Sequence, residues 1–184
     1  MTKSSVERMK RRTKTPVPTA KPRPAKKRIF TLDVVLVSGP MSEGFARKNP
    51  VISRTLEIRG DQTLATLHRA IFSAFGREEE HMYEFQVGGE RPMDPNARSY
   101  VLPMAMDDPF ADKRPAGDVE RTTIGSLGLG AGDVFGYWFD FGDDWWHRIE
   151  VLAIETDAPR GKLPKVTRRV GDSPPQYVDW DEDA

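Results

Sequence analysis

The stretch VFGYWFDFGDDWWHRIEVLAI, residues 134–154, decides how this chain is read. Phe135, Tyr137, Phe139 and Phe141 recur at every second position, the spacing of one strand face, and Trp138 falls on the other face. Gly142-Asp143-Asp144 interrupts the run with residues that tolerate a tight reversal. A second apolar run, Trp145 to Ile154, follows. The pattern predicts two strands, Val134–Phe141 and Trp145–Ile154, folded into a hairpin. With Asp143-Asp144 as a two-residue turn, Asp140 and His147 would face each other across it. Trp145 and Trp146 must point to opposite faces, so one is exposed unless both faces are covered.

Upstream, IFTLDVVLVSG (29–39) is a β-branched run closed by Ser38-Gly39-Pro40, and PVISRTLEI (50–58) alternates as a second strand. The connection from Pro40 to Asn49 is short enough for an antiparallel pair. DQTLATLHRAIFSAFG (61–76) is the clearest helix. Asp61 or Thr63 can cap it, Gly76 stops it, and Leu64, Leu67, Ile71, Ala74 and Phe75 form one apolar stripe. HMYEFQV (81–87) puts Tyr83, Phe85 and Val87 on one strand face. Residues 90–120 lack a sustained period and are expected to be a surface insertion, with YVLPMAM as a short strand or docking segment. GLGAGD (128–133) precedes a strand, so it is a turn and not a dinucleotide fingerprint.

Charge is divided unevenly. The formal net charge of the 184 residues is zero, yet residues 1–28 carry eleven Lys or Arg against Glu7 alone. A proline-containing basic arm over 1–28, expected to be disordered, therefore precedes an acidic body. The expected core domain runs over 29–158, with an extended tail over 159–184. No cysteine is present, which excludes disulfides and thiolate chemistry. The chain has no apolar run long enough to span a bilayer and no apolar leader at Met1. A cytoplasmic location without membrane contact is expected. The element order β-β-α-β, insertion, β-β predicts an α+β domain with a β-grasp-like (ubiquitin-like) mixed sheet and one main helix.

Several of these segments resemble one family. FDFGDDWWH resembles the Y-D-F-G-D-x-W-x-H signature of the plasmid pRiA4b ORF-three-like proteins, carried here by Asp140, Gly142, Asp143, Trp145 and His147. TLATLHRAIFSAFG followed by HMYEF, PVISRTLEI, and more faintly SPPQYVDW resemble further segments of that family. Ser53 and Arg77 stand where the family usually has tryptophan, and its terminal di-glycine is replaced in the neighbourhood of Tyr177 and Asp179. The resemblance implies a compact β-grasp-like domain, carried by plasmids and insertion elements or free-standing in bacteria, without an established activity. Some members bear a resolvase-like label. The chain lacks both a serine-recombinase strand end and the spaced arginine–histidine–arginine set with a downstream tyrosine, so recombination has little support here.

Two kinds of chemistry compete for the remaining residues. Asp140, His147, His68 and His81 are the set a small metal-assisted hydrolase or nuclease would need, provided they converge. The competing reading makes them structural: Asp143 caps turn amides, Asp140 fixes a histidine tautomer, and the histidines brace the helix against the sheet. The structural reading is preferred, with no cofactor or metal assigned. Lys10, Arg11, Arg12, Lys14, Arg23, Lys26, Lys27 and Arg28 could neutralise phosphates of a nucleic acid in a salt-sensitive, sequence-independent way. Among the aromatics, core packing is expected for most, with a partner-binding or nucleobase-stacking surface as the alternative. The expected function is a non-enzymatic interaction or accessory module of a bacterial plasmid or mobile element, meeting a protein partner through its body.

Overall fold

A computed structural model describes residues 28–89, 93–109, 111–156 and 161–177 of the chain. The β-branched run forms β1 (Ile29–Ser38), which pairs antiparallel with β2 (Ser53–Arg59), Phe30 opposite Ile58 and Leu32 opposite Leu56. Both strands put alternate apolar residues on one face, which fixes the register because a one-residue slip would turn that set outward. The expected plain connection holds a short helix, α1 (Glu43–Lys48), whose cap Ser42 accepts from the Phe45 amide at 3.2 Å. Six residues are too few to show a helical period, so it left no sequence signal.

α2 (Leu64–Ala74) begins at Thr63, whose hydroxyl accepts from the Thr66 amide at 3.3 Å, so Thr63 and not Asp61 is the cap. Gly76 follows the helix at φ +64°, a conformation open to residues without a Cβ. The predicted stripe, Leu64, Leu67, Ile71, Ala74 and Phe75, is buried together with Ala65 and His68. Next come β3 (Tyr83–Val87), β4 (Arg98–Val101), β5 (Gly117–Asp118), β6 (Val134–Phe139), β7 (Trp145–Glu155) and β8 (Lys165–Val170).

All of these strands join one eight-stranded sheet in the order β5-β4-β3-β6-β7-β1-β2-β8, antiparallel except for the β4–β5 pair. The fold class is therefore mixed α+β. α2 covers one face, over Phe30, Leu32, Leu56, Ile58, Phe85, Tyr137 and Ile149. No described helix is long and apolar enough to cross a membrane.

Three expectations need correction. The 90–120 segment is not only a surface insertion: it supplies β4 and β5, and Val119 is fully buried. The expected tail from 159 supplies edge strand β8, and Gly171–Tyr177 then crosses back over the end of α2. The hairpin turn is not two residues long. Phe139 pairs with Trp145, which leaves a five-residue loop, Asp140–Asp144. His147 consequently lies opposite Tyr137, not Asp140, and Phe141 leaves the strand to become exposed. The basic arm before Arg28 and the residues after Tyr177 lie outside the described residues.

Candidate functional site

The hairpin loop explains its own composition. Asp140 and Asp144 sit at φ +56° and +54°, in the left-handed region that aspartate enters more readily than most residues. The Asp140 carbonyl accepts from the Asp143 and Asp144 amides, and its carboxylate accepts from the Gly142 and Asp143 amides at 3.2 and 3.4 Å. The residue expected to cap the turn was Asp143; Asp140 does so. Asp144 accepts from the Trp138 indole N–H at 3.0 Å. The loop carboxylates are thus largely spent on backbone and indole donors.

The three histidines occupy three different surroundings. His68, on α2, stacks flat on Tyr83 at 3.7 Å and contacts the Tyr137 hydroxyl at 2.7 Å through Nδ1. Its Nε2 lies 2.9 Å from a Glu80 carboxylate oxygen. A carboxylate only accepts, so Nε2 carries the proton. Burial holds His68 below its ordinary pKa although Glu80 pulls the other way, and in the neutral ring Nδ1 accepts from Tyr137. Burial also raises the Tyr137 and Tyr83 phenols, the latter to about 12, so both stay protonated. This is the helix-to-sheet brace expected from sequence, with Tyr137 and Glu80 as partners.

His81 lies at the surface. Its Nε2 meets the Tyr177 hydroxyl at 2.9 Å and Asp140 Oδ2 at 3.5 Å, while Tyr177 donates to Glu79 at 2.9 Å. Asp140 therefore orients His81 rather than His147. This chain of contacts fastens the C-terminal crossing segment to the hairpin loop. Gln176 strengthens it by accepting from the Glu78 and Glu79 amides and donating to the Glu79 carbonyl.

His147 is sealed inside. It packs edge-on to Phe75 at 5.0 Å and tilted against Tyr137 at 5.2 Å. Neither ring nitrogen has a hydrogen-bond partner among the described residues. Burial, then the Arg77 cation, push its pKa down to about 3; backbone groups of Trp145 and Tyr137 oppose this without reaching hydrogen-bond geometry. His68, His81, His147 and Asp140 thus form no single centre. No group of three His, Asp or Glu among the described residues is placed to hold a metal ion.

Arg77 is the residue sequence reasoning passed over. It directly follows Gly76, is buried, and lays its guanidinium 3.6 Å over the Trp145 ring. Nη1 makes two long contacts, to the Pro174 and Pro175 carbonyls at 3.4 and 3.5 Å. Nε and Nη2 are buried without a partner among the described residues, as is the Trp145 indole nitrogen. Burial lowers its pKa to about 10 while Tyr137, Asp140 and Asp143 raise it, so it remains a cation at neutral pH. The only trace in the sequence was an arginine where related chains keep an aromatic.

The sheet face opposite α2 carries the other candidate surface. Trp138 and Trp146 stack there at 4.6 Å and 12°, with Phe141 4.1 Å from Trp138. Trp145 and Trp146 do point to opposite faces, but both are buried. Glu84 pairs opposite Trp138, and burial raises its pKa against the Gln86 amide that donates to it. Val37 on β1 and Leu152 on β7 are also exposed. Of the eight basic residues proposed to meet phosphate, only Arg28 is among those described, and it stacks at 4.9 Å over Phe30.

The profile of the family described as plasmid pRiA4b ORF-3-like protein matches residues 44–180. The chain belongs to that family. Among solved structures it is similar to a protein of unknown function, MM3350, from Methanosarcina mazei Go1, at a TM-score of 0.60 and 17% identity. The similarity covers 81% of this chain and 72% of that one, and at such identity it speaks for the fold alone. No curated protein matches the chain.

Proposed function

We propose that this chain is a non-enzymatic interaction or accessory module of a bacterial plasmid or mobile element, acting in the cytoplasm. Its cationic leader adheres to nucleic acid while its acidic body meets a protein partner. One observation carries the reading. The acid–base side chains that a hydrolase would need are held apart in three separate settings: a loop cap and surface clasp, a helix brace, and a sealed aromatic contact. The family description, taken from a plasmid reading frame, supports the genetic setting. The β-grasp description is supported by the β1–β2 hairpin followed by a helix that packs on it. The antiparallel β1–β7 pair departs from the parallel central pair of a ubiquitin-like grasp. The metal-assisted alternative retains only the 3.5 Å contact of His81 with Asp140.

Filter binding of the full chain to duplex and single-stranded DNA over a salt series tests the leader. Affinity should fall linearly on a log–log plot, with a slope of roughly one unit per neutralised phosphate. Replacing the eight basic residues by glutamine should abolish it. Absence of binding at about 50 mM salt would remove nucleic acid from the proposal. A turnover that disappears in folded Asp140→Asn or His81→Gln protein would overturn the non-enzymatic reading itself.

A further inference from the structure

Five buried nitrogens with no hydrogen-bond partner among the described residues belong to three neighbouring side chains: Arg77 Nε and Nη2, Trp145 Nε1, and both ring nitrogens of His147. They are neighbours because Trp145 and His147, two residues apart on β7, share the face beneath α2. Arg77 stacks on that indole and acts electrostatically on that imidazole. Unpaired buried polar atoms are rare in folded proteins, and guanidinium donors buried without an acceptor in contact are among the costliest of them. Their grouping calls for a common acceptor.

The free edge of Arg77 defines that acceptor. Nε and Nη2 are the two donors on one side of the guanidinium, the fork that matches the two oxygens of a carboxylate. The other terminal nitrogen is turned toward Pro174 and Pro175 by long contacts. The indole adds a donor, and neutral His147 adds one more. Charge favours a single negative group: Asp140 and Asp143 already act on Arg77, so a dianion would overcompensate. We propose that Arg77, Trp145 and His147 form a carboxylate-binding site roofed by Pro174–Pro175, which takes the carboxyl group of a small organic acid. This site is separate from the leader and from the outer sheet face. All five nitrogens are closed off from solvent, and the Pro174–Pro175 segment lies against the same guanidinium through Nη1.

The test uses the full chain and two-dimensional ¹H–¹⁵N NMR. The Trp145 indole and Arg77 Nε–H signals are assigned by their loss in Trp145→Phe and Arg77→Lys. Titration with sodium formate against sodium chloride at equal ionic strength should shift both signals saturably. Arg77→Lys keeps the charge and loses the fork, and should weaken formate binding by about tenfold or more. Arg77→Met should abolish it, with the remaining amide spectrum reporting that the fold persists.

A second arm replaces Asp179, Asp181 and Asp183 by Asn and Glu182 by Gln, to ask whether the chain's own acidic end supplies the carboxylate. Tighter formate binding in that variant supports the site with the chain end as its resident group. Unchanged binding supports it with a free acid. Signals that ignore formate up to about 100 mM, or move equally with chloride, overturn the site. Equal response to phosphate overturns its selectivity for carboxylate.

Discussion

Replacing His147 by phenylalanine should make the protein less sensitive to acid. The sign follows from which state holds the proton. In the unfolded chain the imidazole titrates near its ordinary value of 6.5, and in the folded chain near 3. The folded pKa is the lower one, so the unfolded state binds more protons as pH falls, and stability is lost between those two values. The loss is negligible at pH 7.5, about 2 kcal/mol at pH 5, and about 3 kcal/mol at pH 4. Near-complete burial of His147 means that solvent does little to screen this cost. The other ionisable groups are common to both proteins and cancel in a difference. The assay is urea denaturation of wild type and His147→Phe at pH 7.5, 5 and 4. At pH 7.5 the variant should equal or exceed wild type, because two buried nitrogens without partners are removed and the edge contact with Phe75 is kept. Wild-type stability relative to the variant should then drop by about 2 kcal/mol at pH 5. A difference that stays constant within about 0.5 kcal/mol would refute an uncharged, sealed imidazole.

Other substitutions probe the same layer from different sides. Gly39→Ala would set a Cβ 2.1 Å from Trp145 Cε3, so it should cost about 1–3 kcal/mol through overpacking, read as a lower urea midpoint. A double-mutant cycle of His68→Leu with Tyr137→Phe should show coupling of about 1 kcal/mol, since either single change strands a buried hydroxyl or ring nitrogen. Zero coupling would remove the brace. Arg54→Lys should release the C-terminal segment. The Arg54 guanidinium donates to the carbonyls of Ala74, Val170 and Gly171 and to the Ser173 hydroxyl, and a lysine cannot span that set. Faster amide exchange over 171–177, with β1 and β7 protected, is the expected outcome.

Legibility in this chain followed local periodicity and failed where contacts were long-range. The α2 stripe, the β1–β2 pair and the face assignment of Phe135, Tyr137 and Phe139 were all readable, because spacings of 3.6 and 2 lie within a single segment. The hairpin loop was misread by three residues. FGDD contains the residues of a tight turn, but nothing local says that Asp140 will cap the loop from a left-handed conformation and so take Phe141 out of the strand. That error alone set Asp140 opposite His147 and produced the apparent catalytic pair. Strands β5 and β8, at the two edges of the sheet, were missed for a related reason. They are short or polar outward, and pairing with a neighbour that is distant in sequence makes them strands. Arg77 is the extreme case. Between exposed Gly76 and Glu78 an arginine reads as a solvated charge, and only the fold, by bringing Trp145 under it and Pro174 beside it, turns it into a buried cation with an open fork. The residue that local pattern marks as least informative therefore carries the strongest demand for a ligand. A buried charge is defined by what surrounds it, and its surroundings here come from elements about 70 to 100 positions further along the chain.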